Sequence, residues 1–364
     1  MVQLPDEILE KILCRLSVKD LFRFKCVCKS WLALISSPYF VKLHLNRSVQ
    51  SKSNLSLFLS DYNLFRVDFN SLEDFEDEGF VRPVEIDYLI SRYPYYDILR
   101  YPYYGISICG SCDGLLCITI HGIMKNVFLW NPSTKKSIQL PLPVSTSDNL
   151  NSWVYRFGYD NTNNDYKVVK LMFFRVRKGI KDYEIKVYSL KSNSWHSPKK
   201  FSYHPKLKSI GDSIICGAMH WISKVGSGKK RSIVAFDLGT EIYRVISLPK
   251  LSDSYYYLYL NNLEGCLSAT CRYHYSSSNV DIFLLKEYGG KNEHWSKLIT
   301  ISQPLISLGS FYDGSFNTVK AIAYSKCEEL NEVYTCMESI VPLDVPEAIP
   351  EAVPEAVPGN PILI

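Results

Sequence analysis

The chain has no stretch of 18 consecutive apolar residues of low charge. Its longest apolar runs, such as Leu115 to Ile120, fall far short, so no membrane-crossing helix is expected. The opening MVQLPDEILE carries acids where a secretory signal needs a basic flank and an apolar run, and no export route is expected. Cysteine is sparse and odd in number, 11 among 364 residues. That excludes a disulfide scaffold and points to reduced thiols in the cytoplasm or nucleus, where the triplets at Asn46 and Asn54 are chance matches to a glycosylation acceptor. Disorder throughout is excluded as well, because 46% of the side chains are hydrophobic and 21% charged, and 41.8 kDa suffices for one large or two ordinary domains with real cores.

What charge there is sits unevenly. Residues 1–50 hold eight Lys/Arg (Lys11, Arg15, Lys19, Arg23, Lys25, Lys29, Lys42, Arg47) against four acids (Asp6, Glu7, Glu10, Asp20), which equals the whole chain's formal +4. The remaining residues are neutral in sum. A compact basic head on a neutral body suggests an acidic partner. The cations are spread at helical intervals among apolar residues instead of clustering as in a phosphate-binding arm, so an acidic protein fits better than nucleic acid.

From Pro5 to about Ser36 the apolar residues recur with helical period. Ile8, Leu9, Ile12, Leu13 and Leu16 form one stripe, with Pro5 in the first turn and Asp6 and Glu7 suited to its dipole. Ser17 to Asp20 has the form of a capping box, and Leu21, Phe22, Phe24, Val27, Cys28, Trp31, Leu32 and Ile35 extend the pattern through one or two further helices ending before Pro38. Three short helices of this size cannot bury that surface alone, and segments below about 40 residues need a metal, a disulfide or a partner. A protein partner is expected.

The ordered string Leu4-Pro5-Asp6-Glu7-Ile8-Leu9, Ile12-Leu13-Cys14-Arg15-Leu16, Val18-Lys19-Asp20-Leu21, Arg23 to Trp31 and Ile35-Ser36-Ser37-Pro38 with Phe40 closely resembles an F-box. The resemblance implies docking on an acidic adaptor of the Skp type and, through it, on a cullin-RING ubiquitin ligase. It assigns the adaptor interface to Leu4, Pro5, Ile8, Leu9, Ile12, Leu13, Leu21, Val27 and Trp31, some of which would also complete the helical core. The alternative is that such a stripe packs on the chain's own next domain, but a helical stripe is generic and the ordered string is not.

From about Leu55 the period becomes two and an imperfect repeat emerges. Val127-Phe128-Leu129-Trp130 precedes the turn Asn131 to Thr134, and the same grammar returns at Ile185 to Leu190, Ile233 to Leu238 and Val280 to Leu285. The matching aromatics Trp130, Tyr188, Phe236 and Phe283 stand 58, 48 and 47 residues apart. Repeats of about 40 to 50 residues with several strands each mark propeller blades, and dividing the β region by that period predicts about six; a two-sheet sandwich is the alternative. The repeats, with Ser111 to Cys117, Phe157 to Asp160 and Gly217 to Trp221, look like the F-box-associated interaction domain, a kelch-like substrate receptor of plants. The expected class is therefore α+β multidomain: a three-helix F-box over 1–45, a linker with first β segments over 46–104, a mostly antiparallel propeller-like domain over 105–337, and a tail over 338–364.

Several constellations imitate chemistry. Gly110-Ser111-Cys112-Asp113-Gly114 has the outline of a nucleophile elbow, but an elbow opens a helix, whereas Leu115 to Ile120 reads as strand, and Asp113-Gly114 reads as a hairpin turn. Cys109, Cys112, Cys117 and His121 supply zinc-ligand types, yet Cys117 and His121 would lie about 13 Å apart along a strand. His220 beside Trp221 reads as a hydrogen-bonded core residue, and Gly226 to Lys230 as a hairpin tip. No metal, cofactor or catalytic residue is expected, and no enzyme.

Two low-complexity stretches complete the chain. Arg92 to Leu99 recurs at once as Arg100 to Ser107, making Tyr95, Tyr96, Tyr103 and Tyr104 candidates for substrate contact. Residues 338–364 carry proline every fourth position from Pro346 to Pro358, with five acids and no base, and predict an extended, disordered tail. The expected function is substrate recruitment to a Skp-cullin-F-box ligase; a propeller sensing a small molecule or glycan is the alternative.

Overall fold

The structure, a computed structural model, describes residues 5–51, 55–60, 64–68, 84–86, 106–120, 126–143, 150–175, 181–202, 204–205, 207–225, 230–251, 256–263, 265–273, 279–302 and 332–343. The head has four helices, not three: α1 (Asp6–Leu13), α2 (Val18–Phe24), α3 (Lys29–Ser36) and α4 (Pro38–Ser51). Pro38 does stop α3, but its fixed φ and missing N–H also suit a first helical turn. The Phe40 N–H donates to Ser37 Oγ at 3.1 Å, capping the new helix. Ser17 caps α2 in the expected way, accepting the Asp20 N–H at 3.2 Å while its hydroxyl donates to the Asp20 carboxylate at 2.8 Å. Leu13, Val18, Leu21, Ile35 and Phe40 form the buried centre of the head.

The rest is a β-propeller. Its described residues hold five four-stranded antiparallel sheets, not about six. Blade I joins β1 (Leu55–Ser60), β2 (Leu64–Asp68) and β3 (Val84–Glu85) to the far β20 (Glu332–Met337). Blade II is β4 (Ile106–Cys112), β5 (Leu115–Ile120), β6 (Asn126–Asn131) and β7 (Lys136–Gln139). Blade III is β8 (Leu150–Asp160), β9 (Asp165–Arg175), β10 (Lys181–Ser189) and β11 (Ser194–His196). Blade IV is β12 (Ile210–Ile215), β13 (Ala218–Val225), β14 (Lys230–Asp237) and β15 (Tyr243–Ile246). Blade V is β16 (Tyr256–Leu263), β17 (Cys266–Tyr273), β18 (Asn279–Lys286) and β19 (His294–Ser302). The count differs because blade I draws strands from both ends of the repeat region, so the period cannot be divided evenly into it. Residues 303–331 lie outside the described residues.

The four aligned aromatics occupy equivalent places, Trp130 on β6, Tyr188 on β10, Phe236 on β14 and Phe283 on β18, each the third strand of its blade and each buried. Blades stack through separate apolar cores: I on II, II on III, III on IV and IV on V. Trp195 and Trp295, on fourth strands, donate their indole N–H back to the preceding blade, to Pro141 O at 2.6 Å and Ser247 O at 2.8 Å.

Because the strands alternate in direction, the turns joining first to second and third to fourth strands lie at one end of the propeller. The second-to-third hairpins lie at the other. Met337 pairs with Leu55, so the chain both enters β1 and leaves β20 at the first end, and the head sits there. The segment after β20 is not the start of a disordered tail. Ile340 is buried in the head's core, and Val341 and Leu343 are buried between blades II and III. Asn131 Nδ2 donates to the carbonyls of Ser339 (3.1 Å) and Val341 (2.9 Å). Ser339 to Leu343 thus precede the proline repeat with an apolar pattern that buries well. Residues 344–364 lie outside the described residues.

Candidate functional site

The helical stripe divides into two faces when α1 packs. Leu9, Leu13 and Leu16 turn toward the head's core, whereas Ile8 is 47% and Ile12 48% exposed. A stripe five residues wide is broader than one buried face requires, and the surplus lies outside. Among the nine assigned positions, Leu13 and Leu21 are fully buried and belong to the core. Leu9 and Trp31 are half-buried, with Trp31 edge-on to Phe24 at 5.5 Å. Pro5, Ile8, Ile12 and Val27 (57%) are exposed, and Leu4 lies outside the described residues.

Leu32, 46% exposed, is a further exposed apolar side chain of the head and is not distinguished by the sequence pattern. Its neighbour Trp31 turns partly inward, and the residue's place in the run gives no sign of which faces out. Lys11, Arg15 and Lys19 are exposed on the same two helices and their connection. The head is therefore both greasy and cationic on its free side. Cys28 opens α3 fully exposed, with its sulfur 3.1 Å from Ser30 Oγ. The Ser30 hydroxyl and the Trp31 N–H stabilise the thiolate and hold that thiol below its ordinary range.

The propeller does not seal this surface. Its contact with the head runs through α4, where Val41 and Leu45 pack toward blades II and III, and through Ile340. His44 is buried at the same junction, its Nε2 3.0 Å from Leu16 O, and burial pulls its pKa below the ordinary value.

The imitators of chemistry resolve into structural roles. Asp113 (φ 52°) and Gly114 (φ 78°) form the two-residue turn between β4 and β5. Cys109 and Cys117 meet in the core of blades II and III, Cys112 packs against the edge of that core beside Asp113, and His121 lies outside the described residues. His220 is fully buried, with Nε2 2.7 Å from the Tyr288 hydroxyl. Val225 and Lys230 are the last pair of a hairpin, and residues 226–229 lie outside the described residues. Tyr95, Tyr96, Tyr103 and Tyr104 lie outside the described residues.

Fold and surface together define a small four-helix head, with exposed apolar side chains, carried on a β-propeller. Comparison with known families agrees at both ends: residues 1–43 match the F-box domain, and residues 93–326 match the F-box associated beta propeller domain. The chain belongs to the F-box proteins that carry this propeller. The F-box/kelch-repeat protein At3g23880 of Arabidopsis thaliana is 32% identical over 309 residues, covering 82% of this chain and 79% of its own. F-box protein CPR1 of the same plant is 27% identical over 351 residues, covering 90% and 78%. The propeller visible in the structure extends beyond the matched segment, since blade I uses strands over 55–60, 64–68, 84–85 and 332–337.

Proposed function

We propose that this protein is the substrate-recruiting subunit of a Skp-cullin-F-box ubiquitin ligase, working in the cytoplasm or nucleus. It performs no bond chemistry itself. The head docks on a Skp-type adaptor, and the propeller holds a protein target so that the target's lysines meet the charged ubiquitin enzyme at high effective concentration. The observation that carries the reading is the set of exposed apolar side chains Ile8, Ile12, Val27 and Leu32 on a head whose other side is already seated on the propeller. An exposed apolar patch rimmed by charge marks a protein interface, and the cations around it suit an acidic adaptor.

The test is capture of a purified Skp-type adaptor by the full chain. Ile8→Asp with Ile12→Asp should reduce capture about 30-fold or more, since central apolar anchors are each worth about 2 kcal/mol. The melting temperature should stay unchanged, because both side chains face solvent. Undiminished capture by this variant would overturn the proposal.

A further inference from the structure

The body's neutral sum conceals a local gathering of cationic residues at one end of the propeller. At the end away from the head, the hairpins of three consecutive blades finish in cations. Arg175 pairs with Lys181 across β9 and β10, Lys224 with Arg231 across β13 and β14 followed by Lys230, and Arg272 lies at the corresponding place on β17. At the head-side end of the same blades Asp160, Asp165, Asp237, Glu241, Glu287 and Glu293 stand among Lys167, Lys191, Lys286 and Lys291, so the two signs are mixed there. Several of these acids have structural work in the turns: Asp160 accepts the Thr162 and Asn163 N–H groups, and Asp237 those of Gly239 and Thr240. No comparable turn chemistry calls for the cations at the far end.

The two carboxylates near the far end are already engaged, Asp182 by Lys200 and Asp281 by Lys297 at 2.8 Å. Elsewhere on the propeller Arg244 is held by Glu293 at 2.7 Å and Arg66 by Glu338 at 2.8 Å. Lys224, Arg231 and Arg272 have no carboxylate within ion-pair distance among the described residues. Lys224 and Arg272 are exposed, and Arg231 lies over the Tyr256 ring at 4.7 Å. Among the described residues blades I and II add no charge there, their last hairpin pairs being Ser60 with Leu64 and Ile120 with Asn126. By register, cationic residues thus occupy the far-end hairpin positions of three successive blades, a crescent around that end.

We propose that this crescent, at the end of the propeller opposite the head, binds an acidic segment of a protein partner. A nucleic acid fits it less well. Single strands bind by stacking bases along a run of aromatic faces; here the face of Tyr256 is covered by Arg231, and Tyr257, 51% exposed opposite Arg272, is the one exposed aromatic of the propeller among the described residues, too few for such a run. The crescent also stops after three blades and is flanked by Asp182 and Asp281, which suits carboxylates at spaced positions better than an unbroken run of phosphates. The proposal rests on the receptor reading only in treating the bound protein as one the ligase recruits.

The experiment uses the full chain and fluorescence anisotropy with two probes, a labelled peptide of about twelve residues alternating Glu with Ser and a labelled thymidine oligonucleotide of similar charge. The peptide should bind, with affinity falling as salt rises from about 50 to about 300 mM. Lys224→Glu, Lys230→Glu and Arg272→Glu combined should weaken it about tenfold or more, and the charge-neutral Gln triple should weaken it less. Lys11→Glu with Lys19→Glu, on the head, should leave it unchanged. No peptide binding, equal loss from the head variant, or tighter binding of the oligonucleotide would overturn the inference. Adaptor capture, measured on the same triple variant, should persist; its behaviour reports on the docking reading alone.

Discussion

His220 shows what a single burial does. Its imidazole is sealed between blades IV and V, and desolvation, reinforced by the nearby Arg244 charge, lowers its pKa to about 3. The unfolded imidazole titrates near 6.5. Between those values the unfolded chain holds a proton that the folded one refuses, so the stability this site contributes is complete above the unfolded value and is lost as the pH falls toward 3. The slope for one such group is about 1.4 kcal/mol per pH unit. Denaturant melts at successive pH values should show His220→Gln less stable at neutral pH but losing less stability on acidification; equal slopes would remove the assignment. The sequence made the buried histidine legible, since it lies in an apolar strand beside Trp221. It did not reveal Tyr288, 68 residues away, because a partner across two blades leaves no local pattern. The same limit applies in the head. Periodicity found Ile8, Ile12, Leu13 and Leu21 as one class, and packing then divided them. Leu21→Ala should cost about 2–5 kcal/mol of stability as a core deletion, whereas Ile8→Asp should cost about 0.5 kcal/mol or less while removing adaptor capture. Thermal unfolding and pull-down on the two variants check the division.

At the scale of elements, the segment from Ser339 to Leu343 joins two parts that the sequence presents as separate. It was hidden because the neighbouring Pro-Glu-Ala repeat dominates the composition, and five residues are too few to show a period. What exposes it is the turn it passes. A Cβ on Gly114 would lie 2.2 Å from Ser339 Cβ and 2.6 Å from Met337 O, at a φ of 78° that disfavours any side chain. Gly114 thus has two roles, closing the β4–β5 hairpin and leaving room for the strap. Gly114→Ala should push the strap off its seat, expose Ile340, and sensitise the junction of head and propeller to proteolysis while the far end of blades III to V stays protected. Hydrogen exchange would follow both regions at once, and uniform protection in the variant would contradict the steric argument. Pro38 is the complementary case, a residue whose rule was read correctly as an ending and whose second consequence, a beginning, brought in α4.

For the whole molecule, the composite blade I makes the two ends of the β region depend on each other. Strand β20 is its inner strand and packs on β4, so the last strand in sequence both shields the edge of β1 and lies against blade II. A period read along the chain counts blades as if each were continuous, and that is why the alternating pattern disclosed the propeller but not its number of sheets or its manner of joining. Truncation separates the contributions. A chain ending after Leu343 keeps the strap and β20 and should melt as the full chain does. Ending after Met337 removes Ile340, Val341 and Leu343 from two cores, and with each large apolar side chain worth about 1.5–3 kcal/mol when fully buried, the melting temperature should fall by several degrees. Ending before Glu332 leaves β1 and β4 with bare backbone and apolar surface, and this form should accumulate as aggregate. Scanning calorimetry and size-exclusion chromatography of the three lengths would rank them. If the shortest form were as soluble and cooperative as the full chain, the far strand would have no part in holding the blades together.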